Sequence, residues 1–185
     1  MIYVMSDDHY FSLGVRAVFD GAGHAVGILP SPGEETLARI RGLGDTDILL
    51  LAVENMMVLR LLLRQLAAKK TRIALFLKTV DGGEHHTGFN GVIRRQIPAP
   101  ALISEVAKSV RHNRVRKVVK YLTFPQRFVL EGLVRGGSLS RIAGALHITE
   151  KRVYGHKTEG LARLGLSGRM NCRNLLIYSC LAQLG

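Results

Sequence analysis

At 185 residues the chain is long enough to bury a substantial core as one medium domain or two small ones. Hydrophobic residues at 47% and charged ones at 22% fit an ordinary soluble globular protein, and no 18-residue apolar run offers a membrane span. The charge is uneven: of a formal +12, residues 1–110 carry +1 and residues 111–185 carry +11, so the second part suits a polyanion.

The chain starts directly on the strand-like IYVM (2–5), with no basic segment and apolar stretch to mark it for export, and a cytoplasmic location is expected. A helix is predicted over Tyr10 to Gly21, with Phe11, Val15, Val18 and Phe19 on one side. Strand HAVGIL (24–29), a short helix from Glu34 to Gly42 and strand DILLLA (47–52) follow. The unbroken apolar run of that third strand is what a parallel strand covered on both faces requires. Met56 to Lys70 reads as an amphipathic helix interrupted by Arg60 and Arg64, and RIALFL (72–77) as the fourth strand. The connection TVDGGEHHTGFN has three glycines, two histidines and no apolar periodicity, so a turn or loop is expected where a crossover helix is usual. Its His85-His86 pair has only Glu84 nearby, and no metal site is predicted. GVIR (91–94) and a helix from Pro100 to Asn113 complete this part.

RHNRVRKVVK (111–120) is either a basic linker or the tail of the preceding helix. Beyond it the pattern is all helical: Pro125 to Arg135, Leu139 to Leu146, Thr149 to Leu164 and Asn171 to Leu184. Pro125 suits a first turn and Thr149 an N-cap. Cys172 and Cys180 fall eight apart on one helix, about 12 Å along its axis, too far to pair, which suits a reducing compartment. Helix, short turn and helix on a net-positive segment is the pattern of a helix-turn-helix DNA binder. Val153, Leu161 and Leu164 on the third of these helices should face the core. The opposite face is expected to carry Lys151, Arg152, Tyr154, Gly155, Lys157 and Thr158, which can contact phosphates and base edges.

The string from Leu122 to Arg169 resembles the DNA-binding domain of the LuxR/NarL family. The resemblance rests on Leu122, Thr123, Val129, Leu130, Gly136, Ile142, Ala143, Leu146, Ile148, Thr149, Val153, His156, Leu164, Gly165 and Arg169. Phe124-Pro125-Gln126 departs from the usual Pro-Arg-Glu, Gly160 stands at a normally apolar position, and Arg163 replaces a Lys. The resemblance implies a dimer contact on the last helix, through Leu175, Leu176 and Leu181. Residues 1–110 resemble a response-regulator receiver, which implies a flavodoxin-like α/β fold of sheet order 2-1-3-4-5. Asp7 and Asp8 stand where that family's Mg²⁺-holding pair belongs, and Arg95, or else Arg94, stands in place of its Lys. The phosphoacceptor position is Ala52. Asp47 lies at the wrong end of the strand, and Glu54 is two residues too far along.

These readings together describe a degenerate receiver (1–110), a basic linker or helix extension (111–120) and a four-helix DNA-binding domain (121–185). The expected function is phosphorylation-independent, sequence-specific regulation of transcription, with double-stranded DNA as partner and a homodimer as the working form. One alternative is an auxiliary regulator of the RcsA type, acting through a heterodimer with a complete response regulator. Another is a sensor that binds a small molecule in the vacated phosphorylation pocket beside Asp7, Asp8 and Ala52. No cofactor is expected, and no nucleophile, base and orienting group occur together to suggest an enzyme.

Overall fold

The computed structural model describes residues 1–30, 33–78, 92–111, 118–164, 166 and 172–182, with nothing stated of side chains 118, 119, 172 and 173. The glycine-rich connection with His85-His86, most of the basic linker, and Gly165 and Arg169 of the family pattern lie outside the described residues.

The first half alternates β1 (Ile2–Ser6), α1 (His9–Asp20), β2 (Val26–Leu29), α2 (Glu34–Gly42), β3 (Ile48–Ala52), α3 (Met56–Ala67), β4 (Arg72–Leu77), β5 (Val92–Arg94) and α4 (Ala99–Arg111). The five strands form a parallel sheet of order β2-β1-β3-β4-β5, the flavodoxin-like order. β3 is its centre, in register with β1 from Ile2↔Ile48 to Ser6↔Ala52. Its apolar run is explained by the two layers it serves. Leu49 and Leu51 pack in the cluster containing α3's Leu59, Leu62, Leu63 and Leu66. Leu50 and Ala52 pack in the other, with Val15 and Phe19 of α1 and Leu102 and Val106 of α4.

Helix starts follow local chemistry. Asp8 accepts from Phe11 N at 3.2 Å to cap α1, and Asn55 accepts from Met57 N and Val58 N to cap α3. A 3₁₀ turn (Val118–Tyr121) leads into α5 (Phe124–Val134), α6 (Leu139–Leu146), α7 (Glu150–Arg163) and α8 (Cys172–Leu181). Pro125 occupies the first turn of α5, as its missing N–H and fixed φ favour.

The two halves share apolar surface. α8 packs on both α5 and α3, and the cluster beneath the sheet continues through Leu122, Leu130, Leu161, Leu164, Leu166, Ile177, Tyr178, Cys180 and Leu181. Leu181 is therefore fully buried within the chain, which corrects the expectation that it is free for a dimer contact. Leu175 is half-buried and packs on the same cluster, and only Leu176 is well exposed. No helix among the described residues is long and apolar enough to cross a membrane.

Candidate nucleic-acid interface and the strand-end cluster

Three residues, His147 to Thr149, join α6 to α7. The turn is made by His147, whose φ of 52° puts it in the left-handed region where a non-glycine residue is uncommon. Its N–H donates back to Gly144 O at 3.2 Å, and that of Ile148 to Ala143 O at 3.1 Å. Thr149 Oγ1 then accepts from Arg152 N at 3.3 Å, which starts α7 and confirms the predicted cap. Val153 packs with Val129, Ile142 and Ala143, so the angle between α6 and α7 is fixed by a small core of its own.

The departures from the family pattern find physical roles. Gln126 completes a capping box with Thr123, its Oε1 accepting from Thr123 N at 3.1 Å, and its Nε2 donates to Glu159 Oε2 at 3.3 Å. Gln126 is buried, so this amide joins α5 to α7 through a polar contact within the packed interface. Gly160 lets α7 approach α5: a Cβ there would lie 3.1 Å from Leu130 Cδ1 and 3.3 Å from Gln126 Cβ. Arg163 Nη1 donates to Tyr121 O at 3.2 Å and fastens the end of α7 to the 3₁₀ turn.

Lys151, Arg152, Tyr154 and Thr158 lie exposed on the outer side of α7, with Gly155 half-buried and open space where its Cβ would be. Lys157 does not join them. It is only 1% exposed, between the buried Val153 and Leu161 on the inner face, and its ammonium lies 5.3 Å from the Tyr154 ring centroid. Burial lowers its pKa below the ordinary 10.5. The expectation that Lys157 lies on the outer face is therefore corrected: its four-residue spacing from Val153 and Leu161 places it inward.

At the carboxyl end of the sheet, Ala52 is 1% exposed and its carbonyl accepts from Ser6 Oγ at 3.0 Å. Of the two arginines at the end of β5, it is Arg95 that reaches the acidic pair. Its Nη1 reaches Glu54 Oε1 at 2.6 Å and Asp7 Oδ1 at 3.4 Å, while Nη2 reaches Asp8 Oδ2 at 3.2 Å and Ser6 Oγ at 3.1 Å. The guanidinium carbon lies 5.0 Å from the centroid of the Phe11 ring, which in turn packs edge-on against Phe76. Asp7 Oδ2 also accepts from Glu54 N at 2.6 Å, and Lys78 pairs with Glu54 from outside.

This arrangement does not fit the divalent cation that receiver resemblance implies. A guanidinium already neutralises the acidic pair, Asp8 spends an oxygen on the α1 cap, and Ala52 supplies no ligand. Among the described residues no group of three or more His, Cys, Asp or Glu side chains could hold a metal ion. Glu54, set aside in the sequence for its spacing, belongs to the cluster. The register Ser6↔Ala52 brings the loops after β1 and β3 side by side, so Asp7, Asp8 and Glu54 converge on one cation. The vacated site proposed for a small molecule is thus filled by Arg95.

No protein-family profile matches the sequence. No curated protein matches it either. Among solved structures, the chain is similar to the response regulator StyR (19% identity over 96% of this chain and 98% of that one, TM-score 0.43). It is also similar to full-length FixJ from B. japonicum (16%, 100% and 98%, TM-score 0.41). A third similarity is to RcsB from Salmonella enterica serovar Typhimurium bound to promoter P1flhDC (16%, 98% and 98%, TM-score 0.47).

Proposed function

We propose that this chain is a DNA-binding transcription regulator whose receiver-like half works without phosphorylation. The observation that carries the reading is the outer face of α7. Lys151, Arg152, Tyr154 and Thr158 stay exposed in the intact two-part chain, on the second helix of a capped helix-turn-helix. In this reading α7 enters the major groove, with Arg152 and Lys151 on phosphates or guanine edges and Tyr154 and Thr158 on phosphate or a thymine methyl. Gly155 permits close approach of the backbone to the duplex. The basic excess of residues 111–185 supplies the sequence-independent attraction.

Phosphorylation independence rests on Ala52 and Arg95 together. The first offers no nucleophile, and the second holds permanently the positive charge that a bound cation would bring. A dimer on a two-fold site remains part of the proposal, with Leu176 as the exposed residue of α8 that such a contact would use. The test is a gel shift on duplexes selected from a random library. Arg152→Ala and Lys151→Ala should each weaken binding and reduce the slope of log affinity against log salt by about one. Undiminished affinity in both variants would sink the assignment of that face.

A further inference from the structure

A cavity of about 490 Å³ opens at the amino edge of the sheet, the end remote from Arg95. It lies between the last turns of α1 and α4 and the starts of β1, β3 and β4. Its size falls within the roughly 300–1,000 Å³ of small-molecule sites. Phe19, Ile103, Val106 and Val110 give it apolar walls, and its polar lining includes His24, Arg72 and Arg111, with no carboxylate among the described residues.

Asp47, the nearest acid in sequence, is already engaged. It accepts from the Met1 ammonium at 2.8 Å and from Gly44 N at 2.9 Å, and does not line the cavity. Arg72 and Arg111 both line the cavity; Arg72 Nη2 donates to Thr46 O at 2.6 Å, and Asp47 acts on its charge from outside the lining. Two guanidiniums therefore give this apolar cavity a positive rim.

We infer that this cavity is a binding site for a small amphipathic carboxylate, with its apolar body on the Phe19, Ile103 and Val106 walls and its anionic head at Arg72 and Arg111. A carboxylate accepts in the bidentate manner that suits arginine, and the apolar surround strengthens the attraction. A neutral ligand of equal length would forgo the attraction of the two guanidiniums, so the site should discriminate by charge.

The test is calorimetric titration of the full chain with octanoate, and with 1-octanol as the neutral probe of equal length. Octanoate should bind saturably at one site, at least tenfold more tightly than octanol. Ala107→Trp, on the exposed rim where a large ring fills the opening without entering the core, should abolish that binding while circular dichroism stays unchanged. Arg72→Leu should weaken it at least tenfold. The inference is overturned by an absence of saturable octanoate binding, by equal affinity for octanol, or by octanoate binding that Ala107→Trp leaves intact.

Discussion

Replacing Arg95 by Ala would leave Asp7, Asp8 and Glu54 facing one another around an empty centre. The Arg95 side chain is 5% exposed, and its two terminal nitrogens reach three carboxylates and a hydroxyl between 2.6 and 3.4 Å. Removing one partner of a fully buried ion pair costs about 3–5 kcal/mol, whereas surface pairs are worth about 1 kcal/mol or less. The three carboxylates here are between about a third and a half exposed, so water screens part of the loss. The expected destabilisation is about 2–3 kcal/mol, which for a chain of this length lowers Tm by roughly 5–10 °C. Thermal unfolding followed by circular dichroism reads it directly. Arg95→Lys should recover only part of the loss, because an ammonium cannot bridge Ser6, Asp7, Asp8 and Glu54 with a planar fork. Glu54→Gln in the Arg95→Ala background should also recover part, by removing one of the repelling charges. A Tm for Arg95→Ala within 1 °C of wild type would refute the claim that this residue neutralises the cluster.

Three further outcomes follow from single sites. Gly155→Ala should stabilise the helical part by up to about 1 kcal/mol, since nothing lies within 4 Å of the added Cβ, while Gly160→Ala should destabilise it because contacts at 3.1 and 3.3 Å outweigh the same helix gain; denaturant midpoints compare them. Lys157 binds its proton less tightly folded than unfolded, so its burial penalty applies in full at neutral pH and is relieved as pH rises toward 10.5. Lys157→Met should therefore be the more stable protein at pH 7, with the gap to wild type narrowing as pH rises toward 10.5 in urea titrations. Tyr178, whose buried hydroxyl has no partner among the described residues and whose pKa burial pushes up to about 12, should tolerate Phe with no loss of Tm, because the change removes an unsatisfied polar atom.

Much of the fold was legible because its periodicities are local. The fourth strand, the second helix and the sixth helix fall on the predicted residues, the other strands and helices shift by a few residues at their ends, and Thr149 caps as its type suggests. What escaped depended on neighbours distant in sequence. Arg95 stood out as a Lys replacement, yet its hold on Glu54 follows only from the sheet order, which sets the ends of β1, β3 and β5 at one edge. Lys157 differs, because its inward position is local: it stands four residues from both Val153 and Leu161, and that helical spacing outweighs the preference of its charge for solvent. Leu181, which the resemblance sets at a dimer contact, is instead covered by its own chain, because α8 packs on α3, an element far away in sequence.

The most direct test of the account measures DNA affinity with and without a phosphoryl donor. Fluorescence anisotropy on a library-selected duplex should give the same Kd for the untreated chain and for chain incubated with acetyl phosphate and MgCl₂, with no acyl-phosphate found by mass spectrometry and with binding weakened in Arg152→Ala. Affinity that rises on phosphoryl transfer, or a library from which no duplex is enriched, would contradict it.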